Sequence, residues 1–158
     1  MATRSTIAIE RKDGTVAQVY CHWDGYPEHN GKVLLEHYSD PAKRERLIEH
    51  GDISSLGEDI GEKHDFDMRP DGWTTFYGRD RGETAVSARV YPSWQDYTQH
   101  GQFEEFNYVL RCGGLDALNP VWEMCVEPDS FEPLTEVLES TTLVWLTDRE
   151  DYEENQYA

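Results

Sequence analysis

His22, Asp24 and His29 lie within one short stretch, Tyr20-Cys21-His22-Trp23-Asp24-Gly25-Tyr26-Pro27-Glu28-His29-Asn30-Gly31, that also carries a thiol, three aromatic rings and a second carboxylate. His22 and Asp24 flank Trp23 at a strand end, where residues two apart share a face, and a turn brings His29 within reach. Such a trio has the ligand types for Zn²⁺ or Mn²⁺, and with a metal it would support hydrolysis. Its spacing matches no HExxH, HxxE or paired-cysteine pattern, and the alternative is a pair of hydrogen-bonded loop histidines. Cys21 beside His22 does not make a nucleophile and base, because neighbours in a strand point to opposite faces. Cys21 is expected to face the core.

The second stretch is Gly78-Arg79-Asp80-Arg81-Gly82-Glu83. Two arginines between glycines could grip a phosphate or carboxylate in the bidentate manner of a guanidinium fork. Asp80 and Glu83 could instead pair with them in place, which would make the segment a self-satisfied charged turn. The ligand-binding reading joins Arg79 and Arg81 to His22, Asp24 and Tyr26 around a nucleotide or cyclic nucleotide. No Walker A, GxGxxG, GxSxG or kinase signature is present, so no cofactor is implied.

Seven aromatics, Trp23, Tyr26, Trp73, Phe76, Tyr77, Trp94 and Tyr97, exceed what a small core requires. Core packing accounts for most of them, and the rest would form a patch for a partner, since Trp and Tyr dominate interface hot spots.

The elements that must position these residues follow from local signals. Thr6 to Glu10 alternates, Lys12-Asp13-Gly14-Thr15 offers a turn, and Val16 to Tyr20 resumes the strand, which predicts a hairpin. Helical spacing starts after Gly31. Asp40-Pro41 predicts a second helix from Pro41 to about His50, with Leu47 and Ile48 inward, Lys43, Arg44 and Arg46 outward, and Gly51 as its C-cap. Lys43-Arg44-Glu45-Arg46 is the one basic cluster, and a solvated helix face explains it better than a phosphate site.

Residues 52 to 64 lack a sustained period and are expected to form an ordered connection. Trp73 to Tyr77 predicts a strand, Gly78 to Glu83 its turn, and Thr84 to Tyr91 its hairpin partner. Ser93 caps a short helix, Phe103 to Leu110 and Pro120 to Val126 read as strands, and Ser130 to Glu139 as a helix with Phe131, Leu134, Val137 and Leu138 on one stripe. Thr141 to Leu146 reads as a last strand or extended arm. This order favours an α+β class: one domain over residues 1–147, a mainly antiparallel sheet with about four short helices, and an acidic tail at 148–158.

A chain of 158 residues can bury roughly 70% of its unfolded surface, so one domain suffices. Its net charge is −18, and residues 101–158 carry 14 acidic against 2 basic side chains. Such a field repels phosphate and argues against direct nucleic-acid binding, whereas a basic protein surface would be attracted. Glu123, Glu127, Asp129, Glu132, Glu136 and Glu139 are the candidate acidic surface, with simple solubility as the alternative. Three cysteines without a CxxC pair read as reduced thiols. No window approaches a membrane span or a signal peptide, so a soluble, non-exported protein is expected.

Thr3 to Glu10, Tyr20-Cys21-His22-Trp23-Asp24-Gly25-Tyr26, His29-Asn30-Gly31 with Leu35 and Tyr38, Ile53-Ser54-Ser55-Leu56-Gly57 and Thr75-Phe76-Tyr77-Gly78-Arg79-Asp80-Arg81-Gly82-Glu83-Thr84 together resemble a family of small bacteriophage and prophage proteins, over residues 3 to 110. The resemblance brings no catalytic residue with it. It implies a protein of the infected bacterial cytoplasm. Small acidic proteins of that setting often bind and block host machinery such as restriction, CRISPR, nucleotide-signalling defences or RNA polymerase. The expectation is therefore a non-enzymatic inhibitor or adaptor of a host protein with a basic surface, acting in some cases as a nucleic-acid mimic.

Overall fold

The computed structural model describes residues 2–112, 120–127 and 130–140. Its frame is the predicted hairpin: β1 (Ser5–Glu10) pairs antiparallel with β2 (Val16–Cys21), from Ser5 opposite Cys21 to Glu10 opposite Val16. The turn closes as the sequence requires. The Asp13 carboxylate accepts from the Thr15 amide and hydroxyl, and Gly14 takes φ +91°, a backbone conformation open to glycine at little cost.

Around this frame the remaining described strands are β3 (Ile53–Ser55), β4 (Thr75–Phe76), β5 (Arg89–Tyr91), β6 (Phe106–Arg111), β7 (Val121–Glu127) and β8 (Ser130–Pro133). The sheet order is β4-β3-β2-β1-β6-β7-β8, with β5 sharing β2's outer edge with β3. Most pairs are antiparallel; β1 with β6 and β2 with β3 are parallel. The fold is α+β. Among the described residues the helices are α1 (Lys32–His37), α2 (Pro41–Glu49), α3 (Tyr77–Arg81), α4 (Trp94–His100) and α5 (134–140).

Alternation divides the core. Ile7, Ile9, Ala17, Val19, Cys21, Tyr108, Leu110, Trp122 and Met124 pack on one face with Leu34 of α1, Leu47 and Ile48 of α2, and Leu134 and Val137 of α5. Ala8, Val16 and Val109 pack on the other face with Tyr97, flanked by Tyr91, Trp94 and Phe131. Tyr38 ties the layers, donating from its hydroxyl to the Gly57 carbonyl at 2.7 Å and accepting from the Trp122 indole at its own carbonyl.

Helix starts follow their signals. Asp40 accepts from the Lys43 amide ahead of Pro41, and Ser93 accepts from the Asp96 amide. Gly51 ends the second helix with φ +78°, and a Cβ there would stand 2.2 Å from the Val86 carbonyl oxygen.

Several expectations are corrected. The strand at Trp73–Tyr77 contracts to Thr75–Phe76, and Gly78–Glu83 is no turn: Tyr77 opens α3, which Gly82 terminates at φ +75°. Thr84–Tyr91 is not its hairpin partner, because Ala85 breaks the extension at φ +60° and Arg89–Tyr91 pairs with β2. The connection from Asp52 contains β3, too short for a period to show. Ser130–Pro133 is a strand rather than the start of a helix, since the helix begins only after Pro133 and Phe131 packs on the opposite face from Leu134. Arg44 points inward, not outward. The expected arm at Thr141–Leu146 and tail at 148–158 lie outside the described residues.

Candidate functional site

The segment after β2 is built from its backbone outward. The His22 and Trp23 amides donate to the Ile53 and Ser54 carbonyls, so β3 prolongs the sheet under the loop. Asp24 then takes φ +56°, a conformation that Asp tolerates better than most residues. Gly25 follows, buried so closely that a Cβ would stand 2.8 Å from both the Thr3 carbonyl oxygen and the Ser5 Cβ. Its amide donates to Thr3, and its carbonyl accepts from the Tyr108 hydroxyl at 2.6 Å. Pro27–Gly31 forms one π-helical turn leading into α1.

Asn30 locks the loop from inside. Fully buried, it offers its Nδ2 to the Ser5 hydroxyl, the Cys21 sulfur and the Trp23 carbonyl, while its Oδ1 meets His29 Nδ1 at 2.8 Å. Cys21 faces the core as expected, and burial pushes its thiol up to about 11, which removes it as a nucleophile near neutral pH.

What the locked loop presents is aromatic. Trp23 is 44% exposed and Tyr26 39% exposed, with His22 edge-on to the indole at 4.7 Å and His29 edge-on to Tyr26 at 6.2 Å. The Asp24 carboxylate beside Tyr26 pushes that hydroxyl's pKa up, so the ring stays neutral. His22 is engaged through Nδ1 with the Tyr20 hydroxyl at 2.7 Å. Among the described residues no group of three or more His, Cys, Asp or Glu side chains is placed to hold a metal ion, so His22, Asp24 and His29 are not gathered into one.

Arg79 takes the self-paired form of the second stretch. Its Nε and Nη2 donate to the two oxygens of Asp80, Nη1 to the Ile60 and Gly61 carbonyls, and Nη2 also to Thr74. All five guanidinium donors are thereby used. Arg81 and Glu83 are exposed, and Arg81 lies over the Phe66 ring at 5.0 Å. An anion grip by both arginines is not what this geometry offers.

Of the acidic positions, Glu132, Glu136 and Glu139 are exposed on β8 and α5. Glu123 is a correction: it is partly buried, 3.9 Å from Arg111 Nη1, and burial raises its pKa. Arg111 also pairs with Glu10 and lies 3.5 Å over the Trp94 ring, so this group is an internal network rather than a free acidic face. Glu127 ends β7, and Asp129 lies outside the described residues.

Two features were missed at the sequence level. Asp52 stands where β2's edge passes from β5 to β3, and its carboxylate replaces a strand carbonyl, accepting from the Tyr20 amide and from both Nη of Arg89. A cleft of about 260 Å³ opens beside it, lined by Thr6, Gln18, Tyr20, Arg89, Gln102 and Glu104. Gln18 is already bonded to the Gln102 backbone through both ends of its amide, and both Nη of Arg89 are held by Asp52. Asp52→Ala is expected to cost about 1–2 kcal/mol, because the partly exposed Arg89 recovers water while the Tyr20 amide does not. Urea unfolding checks this, and an unchanged midpoint would refute the strand-surrogate role. Neither the Asp52 nor the Arg89 role leaves a local motif. Compared with protein-family models, curated proteins and solved structures, the chain matches none of them.

Proposed function

We propose that this chain is a non-enzymatic binding protein that anchors Trp23 and Tyr26 in a partner protein and uses its acidic side chains to steer onto a basic surface of that partner. One observation carries the reading: two large aromatics stand exposed on a loop whose backbone is fixed by Asn30, Gly25 and Tyr108. Exposed aromatics on a rigid base bind at low entropic cost, since neither backbone nor ring has much freedom left to lose. The exposed Glu132, Glu136 and Glu139 in a chain of net charge −18 supply long-range attraction. In the setting that the phage resemblance implies, the partner is a bacterial host protein, such as a component of a defence system, and the site of action is the host cytoplasm.

The two contributions separate kinetically. With a partner obtained by affinity capture from a bacterial lysate, Trp23→Ala and Tyr26→Ala should each weaken binding about 10- to 100-fold, mostly through faster dissociation. Reversing Glu132, Glu136 and Glu139 to Lys should slow association and flatten its salt dependence. A complex indifferent to both aromatic substitutions, in variants that melt like the parent, would overturn the reading.

A further inference from the structure

A second cleft has a volume of about 210 Å³. It is lined by Ile9, Glu10, Arg11, Lys12, Pro41, Arg44, Glu45, Leu110 and Cys112, where the ends of β1 and β6 meet the start of α2. Arg44 is only 8% exposed. A guanidinium so buried ordinarily faces a carboxylate. Here it donates to the Ser39 carbonyl, and it forms no ion pair among the described residues.

The acids around it are engaged elsewhere. Glu45 takes both bonds from Arg11, at 3.1 Å each, and Glu10 accepts from Arg111 Nε and from the Cys112 amide. Asp40, just before α2, receives the Lys43 amide. Lys12, exposed at the rim, likewise has no partner among the described residues. Each carboxylate lining the cleft is therefore matched, and two cations are not. Burial lowers the pKa of Arg44, the direction expected of a cation held without sufficient countercharge.

We propose that this cleft binds a small organic oxyanion, a carboxylate or a phosphate monoester, with Arg44 and Lys12 on its charged end and Ile9, Leu110 and Pro41 against its carbon skeleton. The size fits a ligand smaller than those of the usual 300–1,000 Å³ pockets, roughly a few carbons and one anionic group. Guanidinium geometry suits either oxyanion, because both present two coplanar acceptors to the fork. The site is independent of the aromatic loop, and its loss would leave that interface intact.

Cys112 provides the readout, since it lines the same cleft and is half-buried. The test follows the iodoacetamide alkylation of Cys112 by peptide mass mapping, with Cys125 as an internal comparison, while inorganic phosphate, glycerol 3-phosphate or butyrate is titrated to about 10 mM, the range of a weak small-ligand site. Binding should slow Cys112 alkylation about fivefold without slowing Cys125, and at tenfold over Kd it should raise Tm by about 3–5 °C. The Tm reading serves equally where Cys112 alkylates too slowly to follow. Lys12→Ala, on the exposed rim, should weaken binding about tenfold without altering the fold, and Arg44→Lys should do the same by keeping charge but losing the fork. Protection by glycerol 3-phosphate identifies a phosphate site, and protection by butyrate a carboxylate site. No protection and no Tm shift from any probe, equal effects from sodium chloride, or responses unchanged in Lys12→Ala would overturn the proposal.

Discussion

Replacing Asp80 by Ala should destabilise the protein by about 3–5 kcal/mol and lower Tm by about 10 °C or more. Its side chain is fully buried and accepts four hydrogen bonds from three residues. The Phe76 amide donates to Oδ2 at 2.8 Å, the His64 amide to Oδ1 at 3.1 Å, and Arg79 to both oxygens. Removing the carboxylate leaves Arg79 charged and partly buried over the Phe76 ring, with two amide donors orphaned. Because Arg79 also holds the Ile60, Gly61 and Thr74 carbonyls, the loss spreads to the loop before β4. Arg79→Ala should cost less, since Asp80 would keep its amide bonds, and the double variant should cost less than the sum of the two. Chemical unfolding of the three variants checks this; a loss below about 1 kcal/mol for Asp80→Ala would show that water replaces the bonds.

The same residue sets part of the acid response. Burial by itself would raise the Asp80 pKa, but the Arg79 guanidinium and the Phe76 and His64 amides outweigh it, and the net shift is downward. A carboxylate depressed on folding contributes stability that is present above its unfolded pKa, about 3.9, and lost as pH falls from there through the folded value. Asp80→Ala should therefore flatten the fall of stability below about pH 4. His64 joins this centre through both ring nitrogens: Nδ1 donates to the Glu62 carbonyl at 2.9 Å, and Nε2 lies 3.0 Å from the Thr75 hydroxyl.

What the sequence made legible was local. Asp13-Gly14, Asp40-Pro41 and Ser93 each place a turn or cap through side-chain chemistry within three residues, and the structure keeps all three. The inward face of β6, with Tyr108 and Leu110 together, follows from alternation alone. Most of the failures are non-local. Ile53 is a strand residue because Cys21 lies on one side and Phe76 on the other, a fact absent from its neighbours in the chain. Thr75-Phe76-Tyr77 has the β-branched and aromatic character of a long strand, yet Asp80 reaches back to the Phe76 amide and turns the chain into α3. Arg79 looked able to grip a ligand because its five donors were unassigned; the Asp80 carboxylate and the carbonyls of residues 60, 61 and 74 assign them. Among the seven aromatics, composition could not separate Trp23 and Tyr26 from Phe76 and Tyr97, which are fully buried.

Asn30→Asp should be the most informative single change, because it alters almost no volume and yet reverses the lock under the aromatic loop. The amide donor becomes a carboxylate oxygen facing the Trp23 carbonyl at about the present 3.2 Å, at a position with no solvent exposure. The Ser5 hydroxyl and Cys21 thiol can turn to donate, but the carbonyl cannot, and an acid buried this way resists ionisation. At neutral pH the variant should lose about 3 kcal/mol or more. Its carboxyl pKa would be raised on folding, so the deficit should shrink as pH falls toward the unfolded carboxylate value, where a protonated oxygen can again donate to Trp23. That recovery on acidification is opposite in sign to the acid loss tied to Asp80, and unfolding series at several pH values would separate the two. The functional consequence follows from the same geometry. With the Asn30 bond lost, the Trp23 carbonyl keeps only the Cys21 thiol and its amide only the Ser54 carbonyl, so the loop is no longer held from inside, and partner affinity should fall more than about 100-fold at neutral pH, beyond either aromatic truncation. If Asn30→Asp unfolds no more easily than the parent, the buried amide is not the lock under the loop; if it is destabilised and still binds fully, the loop is not the interface.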